Sequence, residues 1–298
     1  MSDFYVLMLL CFNAFMSKSG FVVLIGRSNV GKSTLLNTLV GTKIAATSFR
    51  PQMTRHIIHG VMNTPEGQAI FVDTPGILKD KKNALTAKLT NKAREALQDI
   101  DLILYVVDPG KTIGQEERAV FGMIRHLPIP KLLIINKSDL PQRERAAQAE
   151  YETWGEEFDG VFILSALRGS HITPLKNKVM ELLPEGDPLY PEEQWTNIDS
   201  QFWIAEIIRE KIFSVLEKEI PYSTSVEVDD VTDKGKTMVI SARILTNQKR
   251  YKGVIIGHEG AKIKEIGTMA RRELEAATNK KIFLSLEVEV DTHWVERI

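Results

Sequence analysis

Residues 26–33, Gly26-Arg27-Ser28-Asn29-Val30-Gly31-Lys32-Ser33, spell the pattern G-x-x-x-x-G-K-[ST]. Glycine lets such a loop fold tightly enough for its N–H groups to point at phosphate oxygens. The Lys32 ammonium can then reach the outer phosphates, and the Ser33 hydroxyl suits Mg2+. The apolar run Phe21–Ile25 reads as a buried strand just before the loop, and Thr34–Val40 as a helix just after it. That helix adds the positive end of its dipole to an anion site. A chance match is the alternative, and the strand-loop-helix context argues against it.

Three more clusters follow apolar strands. Asp73-Thr74-Pro75-Gly76 comes after Ala69–Val72. An acid there can hold Mg2+ through water, and the Gly76 N–H can touch a γ-phosphate. Taken alone, the tetrapeptide would be a turn. Lys131–Ile135 delivers Asn136-Lys137-Ser138-Asp139 at its C-terminal end, where a parallel sheet binds ligands. A carboxylate there accepts two hydrogens from guanine, the ring N–H and the exocyclic amine. Adenine offers no such pair, and the wrong base leaves a buried acceptor unpaired. By itself N-K-x-D is a turn with a helix cap at Asp139. Ser165-Ala166-Leu167, after the strand Val161–Leu164, fits a second base-contacting loop. The ligand read from these clusters is GTP or GDP with Mg2+.

The second half carries a different signal. Ile255 to Ile263 contains Gly257-His258-Glu259-Gly260, a G-x-x-G between apolar helix-like runs. A plain turn is the default reading. In KH domains, however, such a loop approaches a single-stranded RNA backbone, and apolar flanks floor the base groove. From Lys249 to Lys281 there are nine basic residues against four acidic ones, a local balance of +5. The expected RNA contacts are Lys252, Gly257, His258, Glu259, Gly260, Lys262 and Lys264, with Glu259 opposing a phosphate. A solvated helix face would explain some of these charges.

These sites need elements to hold them. Strands at Phe21–Ile25, Ala69–Val72, Leu102–Val107, Lys131–Ile135 and Val161–Leu164 alternate with helix patterns at Ala84–Leu97, Gln115–Arg125, Gln142–Trp154 and Thr173–Leu183. Such alternation predicts an α/β domain with a mostly parallel sheet, covered on both faces, over residues 18–184. Residues 185–200, rich in Pro and acid, read as a linker. The pattern then changes to a helix at Phe202–Leu216, strands at Ser223–Val231 and Lys236–Leu245, a glycine-bearing turn, a helix near Ala261–Ala277 and a strand at Lys281–Val290. This predicts a small α+β domain over 201–298, in the element order of a type II KH domain.

Composition bounds the rest. The chain has 298 residues with 38 Lys+Arg against 39 Asp+Glu, a net charge of -1. Nucleic acid is therefore not bound by bulk charge but only through a local patch. The single cysteine, Cys11, excludes a disulfide framework and a cysteine-cluster zinc site and fits a reducing compartment. Phe4–Phe15 is apolar but shorter than the roughly 20 residues of a transmembrane helix. Residues 1–17 are expected to be an extension outside the fold, from an upstream or mis-assigned start. A peripheral membrane or partner-binding segment and a cleaved signal are the alternatives.

Taken together, the chain resembles the translation-factor-related GTPases. Pro51-Gln52-Met53-Thr54-Arg55-His56, Asp73 to Ile77 and Phe202 to Lys211 look most like the Era family. The resemblance runs from about Lys18 to Leu286. Ser28 stands where the family often has Pro, Met53 replaces the first of a Thr pair, and Leu286 to Asp291 is more acidic than the family's basic ending. The resemblance implies a P-loop GTPase domain followed by a type II KH domain. Its catalytic group would be Lys32, Thr54 and Gly76, with Ser33 and Thr54 on Mg2+ directly and Asp73 through water. Ile77 stands where Ras-like enzymes place a water-orienting Gln, so hydrolysis is expected to be slow or to take its water from another element. In some members of this GTPase group the residue at Asn29 helps bind K+; read alone, Asn29 makes a loop-shaping hydrogen bond. The resemblance further implies a monomer that binds the 3′ end of small-subunit (16S) ribosomal RNA and acts in 30S subunit assembly. It would sit in the cytoplasm with a peripheral inner-membrane fraction. The alternatives are a GTP-gated cell-cycle or signalling switch acting on a protein or membrane, and a scaffold that barely hydrolyses.

Overall fold

A computed structural model of the chain describes residues 17–48, 50–76 and 84–297. The first domain is a six-stranded sheet built from β1 (Lys18–Ile25), β2 (Ile58–Thr64), β3 (Gly67–Asp73), β4 (Leu102–Val107), β5 (Lys131–Ile135) and β6 (Gly160–Ile163). Their order is β2-β3-β1-β4-β5-β6, parallel throughout except for the β2–β3 hairpin. Every residue of β4 is buried, as a strand covered on both faces requires. One core layer joins Leu24, Leu36, Phe71, Leu104 and Ile134 on one side of the sheet. The other joins Val23, Tyr105, Phe121, Leu133 and Tyr151.

The helices are α1 (Lys32–Val40), α2 (Ala84–Glu95), α3 (Gln115–Ile124), α4 (Gln148–Thr153) and α5 (Ile172–Leu182). The single helix expected over Gln142–Trp154 is instead a 3-10 turn at Gln142–Glu144, the short α4, and a second 3-10 turn at Trp154–Glu157. The stretch is mostly polar and buries only Ala147 and Tyr151, too little apolar stripe to hold one long helix. Strand β2 escapes a search for apolar runs because His59, Gly60 and Asn63 interrupt it.

The linker is not free. Val61 N–H donates to the Trp195 carbonyl at 2.9 Å, and His59 N–H to Asn197 Oδ1 at 2.8 Å. The Gln68 amide donates to the Tyr190 carbonyl at 2.9 Å and accepts from the backbone of Leu189 and Tyr190. The segment thus covers the β2 edge, which would otherwise present unpaired backbone. It ends at Asp199, whose carboxylate caps the next helix by accepting from Phe202 N–H at 2.7 Å.

The second domain consists of α6 (Ser200–Val215), β7 (Thr224–Asp233), β8 (Thr237–Thr246), α7 (Lys249–Ile256), α8 (Ala261–Thr278) and β9 (Lys281–Val290). Strands β7 and β8 are antiparallel, β8 and β9 parallel. The helix-like run before the G-x-x-G loop forms α7. Ile208, Ile240, Ile244, Ile255, Ile266 and Leu274 form the core between the helices and one sheet face. Among the described residues no helix is long and apolar enough to cross a membrane.

Candidate nucleotide site and RNA-binding face

The loop of residues 26–31 joins β1 to α1. Gly31 sits at φ 99°, and a Cβ there would lie 2.3 Å from Asn136 Nδ2, so only glycine fits. Asn136 braces three parts of the site. Its amide donates to the Val30 carbonyl at 2.9 Å, and its oxygen accepts from Ala166 N–H at 2.9 Å. The phosphate loop, the N-K-x-D segment and the 165–167 loop are therefore held together by one side chain. Asp139 accepts from the Ser165 hydroxyl, and that oxygen in turn accepts from Arg168 N–H at 3.1 Å. Lys137 donates to the Asn29 carbonyl at 3.0 Å and pairs with Asp108 at 2.6 Å. Leu167 is exposed beside them.

Lys32 is buried and donates to the carbonyls of Gly26 and Arg27 at 3.1 and 3.0 Å. Burial pulls its ammonium down to about 8, against the upward pull of Asp73. Three hard oxygens meet next to it. Ser33 Oγ lies 2.5 Å from Asp73 Oδ2 and 2.8 Å from Thr54 Oγ1, and Thr54 Oγ1 lies 3.4 Å from Asp73 Oδ2. The other Asp73 oxygen is buried without a hydrogen-bond partner. Burial pushes this carboxyl up, while Lys32, Ser33 and Thr54 pull it down. An all-oxygen set with an orphaned carboxylate oxygen fits Mg2+, which prefers one or two carboxylates together with hydroxyls and substrate phosphates.

Some expected residues serve the loop rather than a ligand. The Arg27 side chain turns away to Glu116 at 3.3 Å and Glu117 at 3.4 Å on α3. Val30 is fully buried in the core, and Thr74 is buried with its hydroxyl on the Leu24 carbonyl at 2.8 Å. Ser28, Asn29 and Thr34 line the phosphate cleft, where Asn29 adopts φ 61°. Gly76 stands against Ser28, and Pro75 leads into it. Ile77 lies outside the described residues, as do residues 1–16. Asp108 and Lys111 were missing from the sequence reading. Lys111 donates to the Ser28 carbonyl at 2.8 Å. Their signal was available in principle, as polar residues directly after the buried strand β4.

In the second domain Gly257 and Gly260 take φ 76° and 77°, and Glu259 between them φ 49°. The chain therefore makes a sharp exposed turn at the start of α8. Among the described residues, Lys252, Lys262, Lys264, Arg271 and Arg272 carry no ion pair. One of the four acids counted against them, Glu273, is turned toward the first domain and paired with Lys43 and Lys211. Lys280, one of the nine basic residues, pairs in turn with Asp233 outside the counted stretch, so the face keeps about its sequence balance. Beside the loop runs an open groove of about 450 Å3. It is lined by Ile263, Lys264, Gly267 and Arg271 from α8 and by Ile282, Phe283 and Leu284 from β9. Apart from Lys264 these groove residues were not in the expected set. The exposed aromatic Phe283, in an edge strand, was the clue.

A guanine-type phosphate-loop site on a six-stranded α/β sheet, followed by a helix-loop-helix on a mixed three-stranded sheet, defines a P-loop GTPase carrying a type II KH domain. A family model described as "50S ribosome-binding GTPase" matches residues 21–137, and one described as "KH domain" matches residues 219–295. GTPase Era of Halothermothrix orenii is 40% identical over 283 residues, spanning 94% of this chain and 95% of that protein. GTPase Era of Caldanaerobacter subterraneus subsp. tengcongensis is 41% identical over 280 residues, spanning 93% and 94%. A crystal structure of Era with MgGDPNP and nucleotides 1506–1542 of 16S ribosomal RNA matches at TM-score 0.87 and 33% identity, covering 94% of this chain and 96% of that one. An Aquifex aeolicus Era variant bound to GDP·AlF4- matches at TM-score 0.86 and 34% identity, with the same coverage. The chain belongs to the Era family of GTPases.

Proposed function

We propose that this protein hydrolyses GTP to GDP and phosphate while its KH domain holds the 3′ end of 16S ribosomal RNA, and that it acts in 30S subunit assembly. The observation that carries this reading is the pairing, in one chain, of a phosphate loop braced to the N-K-x-D and 165–167 loops with a net basic face beside a partly apolar groove. The similar Era structure with a GTP analogue and 16S RNA supports it over both domains.

In this reading Asp139 accepts the ring N–H and amine of guanine, and Ser165 holds the carboxylate in place. Lys32 neutralises the outer phosphates. Ser33 and Thr54 hold Mg2+ directly and Asp73 through water, with the three oxygens already gathered within hydrogen-bonding reach. Mg2+ supplies charge neutralisation at the transferred phosphoryl group. Water is the nucleophile, and among the described residues no side chain is placed as its base. Asn29 is the candidate K+ contact. The protein works as a monomer in the cytoplasm, a placement its single cysteine favours, with residues 1–15 as a candidate peripheral membrane contact. Crosslinking the GTP-loaded protein to total cellular RNA and sequencing what is held tests the reading. Enrichment of the 3′ end of small-subunit ribosomal RNA is expected; absence of RNA would refute it.

A further inference from the structure

We propose that Arg55 and Arg209 are positioning residues that fasten Thr54 to the KH domain, so that the state of that domain sets the geometry of the hydrolysis site. The proposal rests on the reading of Thr54 as a Mg2+ ligand.

Thr54 lies between two residues that are each tied to the second domain. On one side, Arg209 of α6 donates to the Met53 carbonyl, and the Met53 side chain packs with Phe213 of the same helix. On the other, Arg55 donates to the carbonyls of Thr224 at 2.8 Å, Tyr222 at 3.4 Å and Pro221 at 3.5 Å, in the segment that opens β7. Its guanidinium also lies 5.1 Å from the centre of the Trp294 ring, beyond β9. Thr54 thus lies between a backbone carbonyl, that of Met53, and a side chain, that of Arg55, each held by the second domain, while its hydroxyl faces Ser33 and Asp73 of the first.

Packing alone does not call for this arrangement. Arg55 and Arg209 are 1% and 2% exposed. Among the described residues one carboxylate, Glu206, makes the ion pair to Arg209, and none is paired with Arg55. Arg55 Nε and Arg209 Nη1 are buried without partners. Two buried cations sharing one acid are costly, and apolar side chains of similar volume would fill the space at lower cost. What the guanidiniums provide is direction. Each reaches across the domain boundary to a backbone oxygen, so displacement of α6 or of the start of β7 displaces Thr54. A shift of about 1 Å in a positioning group can cost up to about 10²-fold in rate.

The test is single-turnover GTP hydrolysis by the full chain against Mg2+ concentration, for wild type and for Thr54→Ala, Arg55→Lys, Arg209→Lys and Lys43→Ala. Lys43 pairs with Glu210 and Glu273 across the same interface and does not touch residues 53–55. The two arginine variants are expected to hydrolyse at least about tenfold more slowly and to need more Mg2+ for half-maximal rate. Their GDP affinity should stay at the wild-type value, and Lys43→Ala should keep the wild-type Mg2+ requirement. Wild-type behaviour of the arginine variants overturns the proposal. So does an equal shift in Lys43→Ala, which would make the effect a general loosening. If Thr54→Ala leaves the Mg2+ requirement unchanged, the metal reading itself fails; if Thr54→Ala shifts it and the arginine variants do not, only the positioning claim fails. Should an arginine variant not fold, Trp294→Leu, which removes the ring under Arg55, must raise the Mg2+ requirement, and a wild-type requirement overturns the proposal.

Discussion

The two ends of the nucleotide site are built differently. The base end is closed within the first domain: Asn136, Asp139, Ser165 and Ala166 hold one another, and Lys137 is paired with Asp108. The Mg2+ end is shared. Thr54 meets Ser33 and Asp73 from between neighbours that are held by α6, the start of β7 and Trp294. A self-contained base end suits constant selection of guanine. A shared Mg2+ end suits a site that must respond to what the second domain binds. Changes confined to the KH domain should therefore alter hydrolysis and leave base selection alone.

The largest effect should come from breaking the base end. Asp139→Asn is expected to weaken GTP binding by more than about 2 kcal/mol, because a charged double acceptor is lost. Xanthosine triphosphate, with a carbonyl in place of the amine, should bind this variant better than GTP does. Titration with both nucleotides checks this, and full GTP affinity in the variant would remove Asp139 from the base. RNA affinity in a fixed nucleotide state should be unchanged, which sharpens the contrast between the two ends.

On the RNA side, replacing His258 and Glu259 together by Asp should lower RNA affinity by about tenfold, from repulsion at the exposed turn. Isolated GTP binding should remain as in wild type. The single change Glu259→Lys should strengthen RNA binding by a few-fold, most at low salt, since a repulsion becomes an attraction. Filter binding across a salt series reads both variants, and a salt-independent gain would contradict a phosphate contact.

A smaller effect concerns the strap along β2. His59 packs edge-on against Phe21 and shares a hydrogen bond with Tyr190 at 2.9 Å. Burial holds its imidazole below the ordinary value of 6.5. The unfolded chain therefore takes up a proton near pH 6.5 that the folded chain refuses until lower pH. Stability from this group is complete above that range and declines as pH falls through it. Thermal unfolding from pH 8 to 5 should show this loss, and His59→Gln should reduce it, leaving the part from His56, whose imidazole burial pulls down to about 4. An unchanged slope in the variant would assign the loss to other groups.

The loops of the nucleotide site that lie within the first domain were legible because their signals are local. The loop from Gly26 to Ser33, Asp73 to Gly76 and Asn136 to Asp139 are short strings placed at strand ends, and the structure finds them there. The shared end was legible only in part. Thr54 could be singled out by resemblance, but Arg55, Arg209 and Trp294 meet across more than 150 residues of chain in the first pair and across the whole second domain in the last. No periodicity marks a buried arginine aimed at a distant carbonyl. Lys43 and Glu273 were equally hidden, and Glu273 had been counted against the basic face that it does not oppose. The linker's Pro-rich composition reads as a boundary, but its hydrogen bonds to β2 depend on an edge strand whose own pattern is broken by His59 and Gly60.

The most direct test is equilibrium binding of a single-stranded RNA carrying the 3′-terminal sequence of 16S ribosomal RNA, measured with a GTP analogue and again with GDP. A Mg2+ end held by the KH domain requires the two affinities to differ, by about 1–3 kcal/mol if the coupling is of ordinary allosteric size. The Arg55→Lys variant should lose most of that difference. Equal affinities of the wild type in the two states would contradict the account.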